Sequence, residues 1–370
     1  MNATDITRRN KTPEQLTEEL TTLLRQISEL DTNSMEQVQQ RLDALTKPQG
    51  SLGDLERIAI QLGGIQHSAH PQITGKAVLI MAGDHGVVAE GVSAFPQEVT
   101  PQMFYNIRNG GAAINVLSRQ AGAEVICTDV GLAVPLVPAE WMKRRVAGGT
   151  RNIAREAAMT RAEAVRALLV GADVAREAIT GGVNLLATGD LGIGNTTPSA
   201  AIIAVFTDLP VREIAGRGTG LNDQGLTHKR QIIEQALRLH HPDPQDPLDV
   251  LSKVGGLEIA ALAGVILQAA ASHTAVVIDG VISTAGAMIA AHLKPRCASY
   301  MIASHCSEEP GHIKALQSLG LHPPLNLSMR LGEGTGAAMT MYLVEASLRI
   351  LTEMATFAEA AVSGKKIKEE

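Results

Sequence analysis

The chain has 370 residues, of which 45% are hydrophobic but only 2% are aromatic, and its formal net charge at pH 7 is −6. This length allows one large domain or two smaller ones, and a core rich in Ala, Val, Ile and Leu is typical of helices packed closely on a parallel sheet. The acidic balance excludes the broad basic face that general nucleic-acid binding requires.

The cysteine content and the start of the chain predict a cellular compartment. Cys127, Cys297 and Cys306 show no CxxC spacing, which favours a reducing compartment over a disulfide framework. Residues 1–11 are polar and lack the apolar core of a secretory signal. No run of about 18 uninterrupted apolar residues occurs, so we expect a cytoplasmic protein without a membrane span.

The N-terminal part of the chain predicts a helical segment. Residues 12–15 (Thr-Pro-Glu-Gln) form a capping box with proline at the first helical position, opening a helix to about Leu30. A second helix is predicted from Met35 to Leu45. A loop rich in Pro and Gly, residues 46–53, then leads into a third helix that ends at residues 63–64.

Short runs of β-forming residues alternate with helical patterns in the remainder of the chain, and a polar residue follows each run. Ligands bind outside the carboxyl ends of the strands in open α/β sheets, so these polar residues predict one shared cleft. The alternative is that Asp simply favours the turn after a strand. The runs cover residues 77–81, 124–127, 185–187, 275–278 and 299–303, and the polar residues are Asp84, Asp129, Asp190, Asp279 and Ser304.

Further helices are predicted between and after these runs. A capping box at residues 160–163 starts a helix toward Leu169, and residues 255–258 begin an alanine-rich helix that ends before Ser272. Residues 283–287 start another. After Gly336, apolar residues recur at steps of three and four, which predicts a C-terminal helix that stops before Gly364.

The segment after the first strand, residues 83–87 (Gly-Asp-His-Gly-Val), raises the question of a metal site. Asp84 and His85 could supply ligands, as could His305 and His312, but the chain has no HExxH motif and no pair of His or Cys at ligand spacing. We therefore predict no metal site and interpret His85 as a residue that shapes the cleft. A serine nucleophile is also disfavoured, because a GxSxG elbow is absent.

Residues 188–198 (Thr-Gly-Asp-Leu-Gly-Ile-Gly-Asn-Thr-Thr-Pro) predict a phosphate site. A glycine-rich turn leads from a strand into a helix, where backbone N–H groups and the positive helix end converge. The Walker signature and the third glycine of a dinucleotide fingerprint are missing, so a mononucleotide fits better. A second glycine-rich loop, residues 216–223, precedes a helix with Lys229 and Arg230, and Lys229 could reach back to a phosphate.

Residues 330–338 (Arg-Leu-Gly-Glu-Gly-Thr-Gly-Ala-Ala) place one carboxylate, Glu333, between two glycines at the start of the C-terminal helix. Glycine allows positive φ and close approach of the backbone to a ligand. The residue pattern alone leaves two interpretations open. Glu333 is either a catalytic carboxylate or a group that caps the following helix.

Four motifs together carry a resemblance to one family. Residues 46–53 (Thr-Lys-Pro-Gln-Gly-Ser-Leu-Gly), 83–87, 192–197 (Gly-Ile-Gly-Asn-Thr-Thr) and 332–336 (Gly-Glu-Gly-Thr-Gly) resemble, in that order, motifs of the nicotinate-nucleotide:dimethylbenzimidazole phosphoribosyltransferases. The resemblance spans roughly residues 38–361. It implies a Rossmann-like parallel sheet flanked by helices, with a smaller helical domain from both chain ends, assembled as a homodimer. The implied limits are 12–68 for the N-terminal part of the small domain, 69–330 for the catalytic domain and 331–364 for the catalytic loop and C-terminal helix.

The resemblance also implies a reaction between small-molecule substrates. The phosphoribosyl group of nicotinate mononucleotide passes to 5,6-dimethylbenzimidazole or a related azole or purine, giving α-ribazole 5′-phosphate and nicotinate during synthesis of the lower ligand of cobalamin. Glu333 matches the family's catalytic base. The leaving nitrogen is already a pyridinium and needs no proton, whereas the incoming azole must lose one. The reaction calls for no metal and no redox cofactor.

The family's binding residues carry over onto matching positions of this sequence. The resemblance places the phosphate at Gly192, Ile193 and Gly194, with Lys229 and Ser307 as further contacts. It places Ser93 and Gln102 along the benzimidazole pocket and Leu331 against the bound rings, with Asp84 and His85 also at the substrate cleft.

One position departs from the family pattern. The family usually has Glu where this chain has Asp190, which keeps the charge but is one methylene shorter, so rate or base preference is in question. Asp190 thereby motivates an alternative function, a nucleotide-binding or regulatory homologue with weakened turnover. A nucleotide hydrolase with water as acceptor is a second enzyme hypothesis, and a nicotinamide-dependent oxidoreductase is disfavoured by the missing fingerprint.

Overall fold

The computed structural model describes residues 8–363, and within that range five parallel strands form a single sheet in the order β2-β1-β3-β4-β5. The strands are β1 (Lys76–Gly83), β2 (Glu124–Gly131), β3 (Leu185–Leu191), β4 (Ala275–Ile278) and β5 (Met301–Ala303). Each falls on a run that the sequence predicts. The first two residues of the last run instead belong to a 3₁₀ turn, Pro295–Tyr300.

Helices cover the sheet, and this explains why the strands are continuous apolar runs: all of β3 and nearly all of β1 are buried. The fold prediction of a parallel sheet flanked by helices is confirmed. The helices are α1 (Pro13–Arg25), α2 (Thr32–Ala44), α3 (Asp54–Gln66), α4 (Val99–Arg108), α5 (Ala113–Ala121), α6 (Arg161–Thr180), α7 (Thr196–Thr207), α8 (Val211–Ile214), α9 (Asp223–His240), α10 (Pro247–Val254), α11 (Leu257–Ala271), α12 (Val281–Leu293), α13 (Pro310–Ser318) and α14 (Thr335–Glu353). None of the helices between residues 8 and 363 combines the length and apolarity needed to cross a bilayer.

The N-terminal helices pack against the C-terminal part of the described chain. Helix α14 packs against α2 and α3, and Leu45 forms an antiparallel β-bridge with Thr356. The predicted C-terminal helix is too long, because it ends at Glu353 and the following residues form this bridge instead. Gly364, the expected stop, lies outside the described residues. The first helix is also shorter than predicted and ends at Arg25 rather than near Leu30.

The strand order defines where a ligand can bind. Strands β2 and β3 both follow β1 in the chain but pair with its opposite sides, so the connections diverge at the β1/β3 boundary. Loops that leave a sheet in opposite directions open a crevice at the carboxyl end. Asp190, opposite Met81 in the register, lies at this crevice.

Candidate active site

A cavity of about 440 Å³ opens at the carboxyl end of the sheet. Its size is typical of a small-molecule site. The loops after β3, β4 and β5 line it, together with α4 and the loop that precedes α14. The lining residues are Phe95, Val99, Met103, Asp190, Leu191, Gly192, Ile193, Asn195, Thr196, Gly218, Thr219, Gly280, Val281, Ile282, His305, Ser307, Glu309, Arg330, Leu331, Gly332 and Glu333.

Glu333 lies in the cavity wall with a backbone that most residues avoid. Its φ is 61°, in the left-handed region, and the residue is only 6% exposed. Within residues 8–363 its Oε2 atom has no hydrogen-bond partner. Burial raises the pKa of Glu333; the backbone N–H of Ile114 opposes this rise and the negative charge of Asp279 reinforces it. A strained, desolvated carboxylate with a raised pKa has the features expected of a proton acceptor.

Asp279, the residue after β4, holds the Glu333 loop in place. Its two carboxylate oxygens accept hydrogen bonds from the backbone N–H groups of Gly334 (3.1 Å) and Ala337 (2.9 Å) in the first turn of α14. The Asp279 carboxylate, which follows β4, thus caps the start of α14, and Glu333 does not. Of the two interpretations of Glu333, the geometry therefore favours the catalytic one.

Asp190 lies beside Glu333, at the end of β3. Its Oδ2 accepts a hydrogen bond from the Asn195 amide (2.9 Å), whereas its Oδ1 has no partner among the described residues. Burial raises its pKa well above the usual value, and the negative charges of Asp279, Glu258 and Glu333 add to this rise against the Asn195 bond. Burial and like charges therefore favour the protonated form of Asp190 in the free site, and a cationic ligand would favour its ionised form.

The predicted phosphate turn lies at the other end of the cavity, where β3 leads into α7. Gly192 approaches the sheet so closely that a Cβ there would overlap the carbonyl oxygen of Gly83. Asn195, the N-cap of α7, makes no side-chain bond to the helix, so it does not block the helix end. The N–H of Ile193 is engaged, since it donates to Oγ1 of Thr100 at 3.0 Å. Gly194 has a φ of 87° and does not line the cavity.

Lys229 of α9 reaches this end from behind. It is fully buried, and its Nζ donates to Oγ1 of Thr196 (2.6 Å), a residue of the cavity wall. Burial lowers the pKa of Lys229 to about 8, and the negative charge of Glu309 opposes that shift. Glu309 in turn accepts a bond from the N–H of Gly218 (2.8 Å), and its own N–H donates to Oγ of Ser307 (3.3 Å). Lys229 and Ser307 are thereby brought to the same end of the cavity.

The opposite wall is apolar. Val99 and Met103 project from one face of α4, and Phe95 and Leu331 complete the surface, with Leu331 still 58% exposed. This surface suits a flat aromatic ring. Of the two polar residues predicted here, Gln102 is exposed on α4 and does not line the cavity. The other, Ser93, is close to the rim, with its Oγ 3.4 Å from Oγ1 of Thr219.

Asp84 and His85 lie below the cavity rather than in its wall. Nε2 of His85 is 2.8 Å from Oε1 of Glu258, and both side chains are buried. Burial lowers the pKa of His85, but attraction and hydrogen bonding to Glu258 and the charge of Asp84 outweigh it and leave the pKa raised. His85 also packs under the glycine turn, since a Cβ at Gly192 would lie 3.4 Å from its Nε2. It shapes the floor of the cleft.

The five polar residues at the strand ends therefore do different things. Asp190 lines the cavity and Asp279 supports its wall, but Asp84 and Asp129 fix loops. The hydroxyl of Ser304 donates to the carbonyl of Asp279 and does not line the cavity. Asp84 accepts the N–H of Ala133, and Asp129 accepts the N–H of Leu132 and an Arg145 bond. The single shared cleft predicted from all five is too simple. Burial raises the pKa of Asp84, against its bond from Ala133.

The sequence pattern missed several lining residues. Val99 and Met103, spaced i and i+4 after a Pro-containing loop, carried a signal that could have identified one helix face. Glu309 carried none, and His305 was considered only as a metal ligand, because their positions depend on the fold after β5. Among residues 8–363, no three His, Cys, Asp or Glu side chains are arranged to hold a metal ion.

Comparison with known proteins agrees with this geometry. A family model described as "Phosphoribosyltransferase" matches residues 27–362. A nicotinate-nucleotide–dimethylbenzimidazole phosphoribosyltransferase of Desulforamulus reducens is 54% identical over 342 residues, covering 92% of this chain and 97% of that protein. One of Geobacter sulfurreducens is 54% identical over 345 residues, covering 93% and 98%.

Solved structures give the same result. The crystal structure of CobT from Thermus thermophilus superposes with a TM-score of 0.86 at 47% identity, covering 90% of this chain and 99% of that one. The family model spans the whole sheet and the cavity loops. The resemblance stated from the sequence is confirmed: the chain belongs to the nicotinate-nucleotide–dimethylbenzimidazole phosphoribosyltransferase family.

Proposed function

We propose that this protein transfers the 5-phosphoribosyl group of nicotinate mononucleotide to 5,6-dimethylbenzimidazole, or to a related azole or purine, releasing nicotinate and α-ribazole 5′-phosphate for the lower ligand of cobalamin. One observation carries the proposal beyond family membership. A single cavity joins a buried carboxylate with an unpaired oxygen, Glu333, to a glycine turn at a helix start that is backed by Lys229.

The donor's phosphate binds at the glycine turn. The open N-terminal end of α7 supplies partial positive charge, and Ser307 supplies a hydroxyl. Lys229 supplies a full positive charge when its Nζ moves a short distance from Oγ1 of Thr196 toward the phosphate. Within the turn, Gly192 and Ile193 line the cavity, and Ile193 contributes only its position there because its N–H donates to Thr100. Gly194 lies outside the cavity wall and shapes the turn through its positive φ.

Glu333 takes the proton of the acceptor. When one ring nitrogen of the azole attacks C1′, the other ring nitrogen must lose its proton, and the unpaired Oε2 of Glu333 accepts it. The apolar wall of Val99, Met103 and Leu331 holds the ring flat beside this carboxylate. Inversion at C1′ follows because acceptor and leaving group occupy opposite faces of the ribose.

The leaving group needs no acid. Nicotinate departs from a pyridinium nitrogen as a neutral ring nitrogen, so the bonding pair is accepted without proton transfer. Positive charge then resides on the ribose as the bond breaks. The buried carboxylates of Asp190 and Glu333 stabilise that charge electrostatically, more effectively in this desolvated site than in water. Asp190 is thus assigned a catalytic role beside Glu333.

Asp190 stands where the family usually has Glu. This replacement is the reason to test a second function, nucleotide binding with weakened turnover. The Oδ1 of Asp190 has no hydrogen-bond partner in the described part of the chain. A binding protein would hold nicotinate mononucleotide and form no product with any acceptor.

A panel of acceptors tests these alternatives. The purified protein is incubated with nicotinate mononucleotide and 5,6-dimethylbenzimidazole, benzimidazole, adenine or no acceptor, and nicotinate and nucleotide products are quantified with their anomeric configuration. The transferase predicts acceptor-dependent nicotinate release and an α-linked product. Equal release without acceptor would identify a hydrolase, and calorimetric binding without any product would identify a binding protein.

We further propose the assembly that the resemblance implies. Contacts of α14 with α2 and α3, together with the bridge between Leu45 and Thr356, support a small domain of residues 12–68 and 331–364 beside a catalytic domain of residues 69–330. The protein is a cytoplasmic homodimer in this proposal. Sedimentation equilibrium should give twice the chain mass, and a monomer mass at micromolar concentration would contradict it.

A further inference from the structure

The buried side chain of His312 connects two walls of the cavity. His312 lies in the first turn of α13 and has no exposed surface. Its Nδ1 accepts a hydrogen bond from the backbone N–H of Ser307 at 3.1 Å. Its Nε2 lies 3.0 Å from Oγ1 of Thr284, a residue of α12.

The neighbouring hydrogen bonds fix the proton on this imidazole. The hydroxyl of Thr284 donates to the carbonyl of Gly280 at 2.9 Å, so it must accept from His312. Nδ1 accepts from a backbone N–H and must be bare, so Nε2 carries the proton. Burial lowers the pKa of His312 to about 3, the charge of His305 adds to this, and the backbone of Asp279 opposes it. The neutral tautomer therefore satisfies every partner.

Both ends of this chain of bonds reach the cavity. Ser307 and Gly280 belong to its wall, in the loops after β5 and β4. The loop after β5 also contains Glu309, which fixes Gly218 next to Lys229. The position of Ser307 therefore contributes to the geometry of the proposed phosphate end. The N–H groups of Cys306 and Glu308 donate to the carbonyls of Leu325 and Met329, whereas the N–H of Ser307 between them donates to His312.

We propose that His312 is a positioning residue for phosphate recognition, a neutral strut that holds the Ser307 loop at a fixed distance from the Gly280 loop. The imidazole touches no substrate. It acts only through Ser307 and Gly280, so its removal weakens binding of the phosphate and leaves the acceptor pocket intact. This role rests on the proposed function for the identity of the substrate, but the phosphate contact can be measured without turnover.

Three substitutions separate the bonds of the strut. The amide oxygen of Asn can occupy the position of Nδ1, so His312→Asn keeps the acceptor for Ser307. His312→Gln places its amide near Thr284 instead and leaves the Ser307 N–H unpaired. Thr284→Val removes the other attachment without touching His312. Thermal unfolding of all three variants tests whether each one folds cooperatively.

The readouts are the Kd of inorganic phosphate by calorimetry and the KM values of both substrates. His312→Gln should raise the phosphate Kd and the KM of nicotinate mononucleotide roughly tenfold, the cost of one misplaced hydrogen bond to a charged group. The KM of the acceptor base, dimethylbenzimidazole, should stay unchanged. His312→Asn should remain within about threefold of the unmodified protein, and Thr284→Val should lie between the two.

Distinct results overturn the proposal. An unchanged phosphate Kd in His312→Gln, an equal rise in both KM values, or no phosphate binding by the unmodified protein would each exclude the strut. If the unmodified protein lacks turnover but His312→Gln still weakens phosphate binding, the strut stands and the proposed transferase function fails.

Discussion

Glu333 carries two features that cost free energy in the folded protein. Its backbone lies in the left-handed region, where a long side chain is disfavoured, and its carboxylate is buried with one oxygen unpaired among the described residues. Surrounding structure must enforce such a conformation, here through the two hydrogen bonds from the α14 turn to Asp279. Strain of this kind is typical of residues that act in a reaction.

Replacing Glu333 by Gln tests its role as the base. The amide keeps the shape but cannot accept the azole proton as a carboxylate does, so kcat should fall by roughly 10²- to 10⁴-fold with little change in the KM of nicotinate mononucleotide. Glu345→Gln is the control: it lies on α14 but pairs with Lys76, away from the cavity. Initial rates with 5,6-dimethylbenzimidazole measure both. A Glu333→Gln variant with normal kcat would exclude proton transfer by this residue.

Asp279 should set the pH at which Glu333 becomes active. The base works only when ionised, so the rate falls as pH drops through its raised pKa. Because the negative charge of Asp279 contributes to that rise, Asp279→Asn should move the acidic limb of the kcat profile to lower pH while keeping one acceptor for the helix turn.

For Asp279→Asn, kcat is measured between about pH 4.5 and about pH 8, a range that includes the raised pKa values of buried carboxyl groups. Asp129→Asn serves as the comparison, since Asp129 also follows a strand but pairs with Arg145 outside the cavity. Its acidic limb should coincide with that of the unmodified protein. A limb that moves upward in Asp279→Asn would contradict the assignment.

Sequence reasoning reached some of these residues and not others. Glu333 stood out because glycines flank it, and Gly192 because a turn there opens a helix. Asp279 was recognised as a residue at a strand end, but its bonds to Gly334 and Ala337 span more than fifty residues of chain and depend on the packed fold. His312 was considered only as a metal ligand, since the contacts it makes exist only once α12 and α13 are adjacent.

At the scale of elements, local sequence signals predicted where helices begin better than where they end. The capping boxes at Thr12 and Thr160 both form as predicted, because their bonds are local. The helix that begins at Arg161 continues to Thr180, well past the predicted Leu169, since burial against α11 extends it. The end of α14 was missed for the opposite reason. Residues beyond Glu353 pair with the segment around Leu45 and leave the helix.

The crossing of α6 and α11 depends on two glycines whose role a periodicity pattern cannot show. A Cβ at Gly264 would overlap the carbonyl oxygen of Leu168, and one at Gly171 would overlap that of Ala261. The helix backbones therefore touch. Gly264→Ala should lower the free energy of unfolding by about 3 kcal/mol or more, because backbone rather than a flexible side chain must move.

Gly225→Ala is the matched control for that crossing. A Cβ at Gly225, in the first turn of α9, would have side-chain atoms of Leu221 and Asn222, just before the helix, as its nearest neighbours. The higher helix propensity of alanine should therefore leave stability unchanged or raise it by up to about 1 kcal/mol. Urea unfolding followed by circular dichroism compares the two. Equal stabilities for Gly264→Ala and Gly225→Ala would show that α6 and α11 can separate without cost.

At the scale of the whole molecule, the sheet order was not predictable from the sequence, although the strands were. Alternation of strands and helices indicates a parallel sheet, but the order β2-β1-β3-β4-β5 depends on which edge each helix crosses. That order places the end of β3 at the crevice and the loops after β4 and β5 beside it. The order therefore decides that Asp190, Asp279 and Ser307 meet, whereas Asp129 remains apart.

The free protein carries like charges in its cavity and a buried cation behind it, so the substrate should stabilise the whole fold. Burial lowers the pKa of Lys229 to about 8 from 10.5. The buried ammonium group therefore destabilises the fold. This destabilisation is at its full size below about pH 8 and disappears as pH rises toward 10.5. At pH 7, Lys229→Met should therefore raise the free energy of unfolding by roughly 1 kcal/mol.

The same variant should lose about half of its stabilisation by substrate. Nicotinate mononucleotide at 100 times its Kd stabilises the unmodified protein by about 2.7 kcal/mol, and a tenfold weaker Kd in Lys229→Met leaves about 1.4 kcal/mol at that concentration. Lys253→Met, which removes a partly exposed lysine paired with Asp249, should retain the full response. Thermal unfolding at pH 7 with and without nucleotide measures both terms. Because the unliganded stability rises while the liganded gain shrinks, a general loss of folding cannot mimic the result, and an undiminished gain in Lys229→Met would remove Lys229 from the phosphate site.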